Sequence, residues 1–573
     1  MAAALSGRLS GRPGWLAFFP LATLAVFLLP IAAGLAGTLL PAFGYLPALG
    51  SRSFGLAPFR DLLAAPGLGE ALGLTVASGL AATLLALLLS LAFLAAFHGR
   101  WPLRQAQRLV APLLAMPHAA FAIGLAFLVA PSGFLLRLLS PWLTGWERPP
   151  DLALIQDPGG LAMTLSLAIK EVPFLLLMAL AALNHLPAAA TLATARTLGY
   201  GPTAAWFGFL LPRLYPALRL PVYAVLAYAL SQVEIALILG PTTPPPLAPL
   251  VLRWFADPDP ALRLQGAAGA LLQLLVVGAG LLLWRLGERL LALLARRLLL
   301  HGRRGGSGRL LRLSAGAGMS LALGLALAAL LLLALWSVAE AWRFPAALPT
   351  RWSLEPLWHG LATLQRPFWT TLLAGAASAG SALILVLGCL EHEARARLAV
   401  TRRALALLYL PLLVPQVAFL FGLQLLLLLG RLEGSWPALL LVHLVFVLPY
   451  VYLSLSEPYR QLDPRLVTSA RTLGLSPWRV LVKVKLPILL RPILAALAVG
   501  FAVSVGLYLP TLFAGAGRLT TLTTEAVALA GGADRRLTAL YALLQTLLPL
   551  AGFWLALWLP RLAWRRRRGL AVA

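Results

Sequence analysis

Apolar residues fill this chain in long runs, separated by short stretches where arginine, proline and glycine collect. Twelve of the runs are long enough for an α-helix to cross a bilayer, which takes ~20 residues. They lie near residues 15–40, 70–97, 109–131, 162–184, 215–240, 264–284, 314–340, 367–390, 404–430, 436–456, 492–513 and 538–560. The first follows Arg8 and Arg12 as a signal peptide would, but it is too long for an ordinary signal segment and is read as a span. The pattern predicts an all-α polytopic membrane protein.

Composition agrees. The 573 residues are 60% hydrophobic and 11% charged, where a soluble protein carries about 25% charged residues. The formal charge of +27 would suggest nucleic acid in a soluble chain, but its distribution argues for a membrane. With the N-terminus inside, 31 of the 46 Lys and Arg and only five of the 19 acids fall on the inner side. The positive-inside rule then puts both termini in the cytoplasm. Arg565 to Arg568, after the last run, suit anionic lipid headgroups, and nucleic acid is not an expected partner. The single cysteine, Cys389, excludes an intrachain disulfide and a cysteine-based metal site, and no metal or cofactor is expected.

The chain repeats itself. The tract Ala195-Arg196-Thr197-Leu198-Gly199 returns 275 residues later as Ala470-Arg471-Thr472-Leu473-Gly474. Pro202 and Pro477 follow in register, then Leu211-Pro212 and Leu486-Pro487. Pro117, Phe121, Gly124 and Leu125 recur as Pro415, Phe419, Gly422 and Leu423 at an offset of 298, and Pro173 recurs as Pro449. The offset falls because the outside loop near 132–161 is longer than its counterpart near 431–436. Residues 1–310 and 311–573 therefore read as two parallel repeats of six spans, joined by a flexible linker from His301 to Arg312. Such repeats imply a symmetry axis along the membrane normal and a pathway between the halves.

Each polar tract lies between the fourth and fifth span of its half, on the side the charges make cytoplasmic. Residues 188–198 and 464–473 are good helix formers, with Gly199 and Gly474 at a C-terminal cap and Pro202 and Pro477 in the first turn of a new helix. Ser476 is the expected N-cap of the second copy, and the Leu-Pro pairs are expected to break the pattern before the next span. The predicted loops, near 187–213 and 462–488, could carry a push from a soluble partner into the membrane.

At these residues the chain resembles the permease subunits of binding-protein-dependent ABC importers. Their signature runs Glu-Ala-Ala, three residues, Gly, nine residues, Ile, one residue, Leu-Pro. Here Ala193, Thr194, Ala195, Gly199, Phe209, Leu211 and Pro212 keep that spacing, as do Thr468, Ser469, Ala470, Gly474, Val484, Leu486 and Pro487. The opening acid is absent from both copies, and Arg196 and Arg471 are candidates to carry polar contacts in its place. The resemblance covers nearly the whole chain as two fused permease domains of the type I importer fold. It is closest to the thiamine and ferric-iron branch, with 239–246, 508–513 and 520–525 similar to a thiamine-permease-like subgroup. It implies a bacterial inner-membrane permease, two ATPase subunits on the loops, a periplasmic binding protein outside, and a small solute such as thiamine as cargo. The only lysines, Lys170, Lys483 and Lys485, are not preceded by glycine, so the chain has no phosphate-binding Gly-Lys-Ser/Thr loop. ATP hydrolysis would belong to another chain, and no enzyme activity is expected.

Lys170 and Glu171 in the fourth span and Glu234 in the fifth are costly in a membrane. They could line the pathway and pass a cationic solute, or Lys170 and Glu234 could pair and hold two spans together. Phe446, Val447 and Leu509 stand at the matching positions of the second half. An ion-coupled secondary transporter using the same three residues is the alternative reading. His118 and His443 lack metal-ligand spacing and read as packing residues. Asp534, Arg535 and Arg536 form an outside tract, either a binding-protein contact or a solvated loop. Trp15, Trp142, Trp146 and Trp352 suit interfacial anchoring.

Overall fold

The computed structural model describes residues 15–47, 50–300, 305, 308–354, 361–398, 407–532 and 534–563. Arg8, Arg12, Arg565 to Arg568 and half of the expected linker (301–304 and 306–307) lie outside these residues.

The chain begins with α1 (Phe18–Ala42), a short α2 (Ala57–Ala64) and the long α3 (Leu68–Phe97). Next come α4 (Trp101–Ala115), α5 (His118–Val129), α6 (Phe134–Leu139) and α7 (Leu161–Asn184). The first loop holds α8 (Ala188–Thr197) and α9 (Pro202–Ala205), and leads through a π-helical turn, Trp206–Leu210, into α10 (Leu211–Ser231). Then follow α11 (Glu234–Leu239), α12 (Leu247–Ala256), α13 (Pro260–Leu300) and α14 (Arg309–Ser337). A two-stranded antiparallel hairpin, β1 (Ala339–Ala341) with β2 (Arg351–Trp352), separates α14 from α15 (Leu361–Ala396).

The rest repeats the theme. A single turn, α16 (Leu410–Leu413), precedes α17 (Gln416–Leu429) and α18 (Trp436–Arg460). The second loop holds α19 (Pro464–Thr472) and α20 (Pro477–Val480), a π turn at Leu481–Lys485, and α21 (Leu486–Ile488). The chain ends in α22 (Leu490–Gly506), α23 (Leu509–Gly515), α24 (Leu522–Ala530) and α25 (Arg535–Ala563).

Among the described residues, ten helices are long and apolar enough to cross a membrane, eleven if a pair bent by 77° at Leu489 counts as one. Their outer faces carry Leu88, Leu282, Leu321, Ile384 and Leu557 exposed, as lipid contact requires. Among the described residues the ninth expected span falls short of that length: after a break at Val414 and Pro415 it holds the 14-residue α17. Pro117 breaks the third span in the same way. In both places the residue before proline is extended, with ψ of 124° at Met116 and at Val414, because the ring crowds a helical neighbour and supplies no N–H.

The fifth and eleventh spans break too, at Gln232 (ψ 136°) and Leu507 (ψ 108°). Gln232 Oε1 accepts from Ile235 N (2.9 Å) and Ala236 N (3.2 Å), which satisfies donors at the start of α11. His443 bridges the other break: Nδ1 lies 2.7 Å from Ser504 Oγ and Nε2 3.0 Å from Thr511 Oγ1. Beyond each break, a threonine on a neighbouring helix takes the first N–H of a short helix. Thr75 takes that of Leu247 (2.8 Å) and Thr371 that of Leu522 (2.9 Å).

The first helix of each expected half crosses to the other. α1 packs on α17, and α14 packs on α5. The repeated glycines make this possible, since small residues let helix backbones approach. Gly422 meets Gly34 and Gly37, and its N–H donates to Thr38 Oγ1 (3.1 Å), while Gly124 faces the Ala329 carbonyl.

Candidate functional site

Both loops are built alike. α8 and α19 end in a Schellman cap, with Gly199 at φ +82° and Gly474 at φ +83°. Gly199 N and Gly474 N donate to the carbonyls of Arg196 and Arg471, each at 2.9 Å. Tyr200 N and Leu475 N reach back to Ala195 and Ala470, at 3.1 and 3.2 Å. Pro202 and Pro477 open the next helix, and Ser476 Oγ accepts from Arg479 N (3.4 Å). Ala195 and Ala470 face inward, while Arg196, Arg471, Leu198 and Leu473 stand exposed at the tips.

The Leu-Pro pairs act differently from the sequence expectation. In the first copy, Pro202–Ser231 runs on as one helical span, and in the second the bend comes two residues after Pro487. Each pair instead follows a π turn, with Leu211 N bonded to Trp206 O and Leu486 N to Leu481 O. Pro212 and Pro487 have no N–H for the carbonyl four residues back, so the preceding turn widens and the helix re-registers without stopping.

Each loop also supports the segment that enters a crossing helix. Trp15 meets Trp478 edge-on at 6.4 Å, and the linker residues Gly305 and Gly308 lie against Ala204 and Thr203.

A second polar group lies between the helix breaks. Lys170 does not pair with Glu234. Its Nζ donates to the carbonyls of Leu113 (3.0 Å) and Leu114 (3.4 Å), in the last turn of α4, where a cation meets the negative end of the dipole. Glu171 Oε1 lies 3.4 Å from His118 Nε2, and the His118 ring packs 4.7 Å from Tyr228. Glu234 lies close to the backbone of Tyr508, beside the break in the opposite half. Among the described residues, Tyr228 Oη and Gln232 Nε2 are buried and have no hydrogen-bond partner. Phe446, Val447 and Leu509 are buried and apolar, so the polar group is one-sided.

The outer tract turns inward. Arg535 donates to Ser132 Oγ (2.6 Å), Arg536 reaches the Ser353 carbonyl (3.4 Å), and Asp534 Oδ1 accepts from Arg536 N (3.1 Å) and Leu537 N (3.0 Å) at the start of α25. Nearby, the buried Arg137 donates to the carbonyls of Ser132, Ala346 and Trp342 and packs against Trp336, Trp342 and Phe344. Among the described residues no three metal-ligating side chains come together.

Sequence reasoning missed two charged knots on the loop side. Glu288 of α13 binds Arg219, Arg285, Tyr215 and Tyr223, and Glu391 of α15 binds Lys485, Arg395 and Tyr459. Both acids stand just beyond the ends of apolar runs, near 264–284 and 367–390. The one signal available was that two of only three lysines, Lys483 and Lys485, stand in an apolar stretch.

Residues 365–564 match the family described as binding-protein-dependent transport system inner membrane component. The chain is 34% identical over 510 residues to the inner membrane ABC transporter permease protein YnjC of Escherichia coli, covering 88% of this chain and 90% of that protein. A shorter stretch of 72 residues, 13% of this chain and 31% of the relative, is 38% identical to the molybdenum transport system permease protein ModB of Haemophilus influenzae. No solved structure matches the chain. With such a relative matched almost end to end, and with these two loops, the chain belongs to the ABC transporter permeases of binding-protein-dependent transport systems.

Proposed function

We propose that this one chain supplies both halves of an ABC importer's membrane pathway, 1–310 and 311–573, and couples them to two ATPase subunits through its two loops. The observation that carries this reading is the duplicated loop: helix, left-handed glycine, proline and π turn, in register at 275 residues. Exposed Leu198 and Leu473 beside Arg196 and Arg471 suit a soluble partner. The arginine balance supports a cytoplasmic position for the loops and both termini, in the inner membrane of a bacterium, with a binding protein on the opposite face. ATP closure of the motor would draw the loops together and open the pathway outward.

Replacing Gly199 and Gly474 together by valine tests this. A β-branched residue at positive φ costs about 1–2 kcal/mol at each site. The double variant is expected to stay in the membrane and to lose most of the ATPase that co-purifies with the unmodified chain. Undiminished co-purification would refute docking at the loops.

The pathway would pass between the helix breaks, lined by Glu171 and Glu234, with Lys170 held aside on α4. Two carboxylates favour a small solute that carries positive charge, a class to which thiamine belongs. Glu234→Gln keeps the shape and removes the charge. Uptake of solute is expected to fall about tenfold with little change in stability; unchanged uptake would remove Glu234 from the pathway.

A further inference from the structure

We propose that Lys485 and Glu391 are the positioning pair through which the second loop moves the membrane helices, a role that rests on the reading of that loop as an ATPase dock. Lys485 is the last residue of the π turn, directly before Leu486 and Pro487. Its Nζ lies 2.6 Å from Glu391 Oε2, with the two side chains 7% and 3% exposed. Glu391 also accepts from Arg395 Nε at 2.7 Å and from the Tyr459 hydroxyl. One carboxylate thus holds the loop, α15 and α18 together. A second knot lies next to it, where Glu393 accepts from Tyr452 (3.1 Å) and Arg460 (3.0 Å), again joining α15 to α18.

Burying such a pair adds little stability over an apolar replacement, so its value lies in geometry. Pulling Lys485 away from Glu391 would separate opposite charges where water screens them poorly, a far steeper cost than sliding two apolar surfaces. A displacement of the loop is therefore passed to α15 and α18 as one body.

Among the described residues the first loop has no such pair. Leu210 stands where Lys485 does and is fully buried, and Leu183 stands in place of Tyr459. Its charged anchor is further on, where Glu288 ties Arg219, Tyr215 and Tyr223 of α10 to α13. The two loops drive different helices by different means, so the two motor subunits act on unlike levers.

The test uses the full chain with its co-purified ATPase in lipid nanodiscs. Spin labels at Leu143→Cys and Leu432→Cys, exposed on the face opposite the loops, report a distance change on trapping with ATP and vanadate. The double variant Glu391→Leu with Lys485→Met removes both members of the buried pair together, and Arg395, whose side chain is 32% exposed, keeps access to the surface. It is expected to fold, to keep its ATPase bound, and to reduce the distance change at least about fivefold, while Lys485→Arg retains most of it. Hydrogen exchange at residues 464–485 is expected to rise about tenfold in the double variant, with 188–210 unchanged. A double variant that matches the unmodified chain in both readouts overturns the proposal. So does one that loses its ATPase, because the pair would then shape the dock and not transmit from it. An unmodified chain that binds no ATPase at its loops removes the docking reading, and the proposal with it.

Discussion

Valine in place of Gly422 is expected to cost about 3 kcal/mol or more and to remove most of the folded chain from the membrane. A Cβ at this position would run into the backbone of Gly34, Gly37 and Thr38 on α1. Backbone cannot rotate away as a side-chain tip can, so the helices must separate. Separation breaks the Gly422 N to Thr38 Oγ1 bond, and α1 loses the surface it packs on. Lipid offers the exposed helix no hydrophobic penalty, so the loss is in close packing and hydrogen bonding. Gly124→Val, facing Ala329 on α14, is the matching change in the first half and is expected to act the same way. Gly324→Val is the control, since that exposed glycine of the same chain has nothing within 4 Å of a new Cβ. Thermal unfolding of the three variants in detergent decides the matter. If Gly422→Val melts with Gly324→Val, the crossing of α1 does not hold the two halves together.

The same glycines mark how far the sequence could be read. Gly124 and Gly422 stood out as repeated positions, but a repeat does not say which helix packs on it, and here the partner comes from the opposite half. The loops were legible in detail, because Gly199, Gly474, Pro202 and Pro477 act through local backbone geometry. The Leu-Pro pairs were not. Proline disrupts a helix locally, yet whether the chain stops or widens into a π turn depends on what packs around it, and α10 runs on through the membrane. The short α17 was hard to foresee because 404–430 is apolar but for Gln416 and Gln424, and Pro411 and Pro415 are its local signals of an interrupted helix. Glu391 and Lys485 are 94 residues apart and lie at the ends of two runs, so hydropathy assigned them to solvent.

Replacing Lys170 by methionine is expected to destabilise the protein by about 2–4 kcal/mol, the scale of leaving buried polar groups unpaired. Among the three intramembrane charges first considered for the pathway, Lys170 alone is held by backbone of its own half. Its ammonium sits on the Leu113 and Leu114 carbonyls, where α4 ends ahead of Pro117. Pro117 denies Leu113 its usual donor four residues on, leaving that carbonyl one long bond from Met116 N (3.3 Å), and the membrane interior offers little water. Methionine fills the volume but donates nothing, so both carbonyls lose the ammonium and Glu171 loses a neighbouring cation. Hydrogen exchange is expected to rise over residues 101–117 first, because α4 is the element released. Glu234→Gln should show the opposite profile, near-normal melting with reduced uptake. The contrast separates a charge that holds a broken helix in place from one that faces the solute. Normal melting of Lys170→Met together with altered uptake would return Lys170 to the pathway and make α4 independent of it.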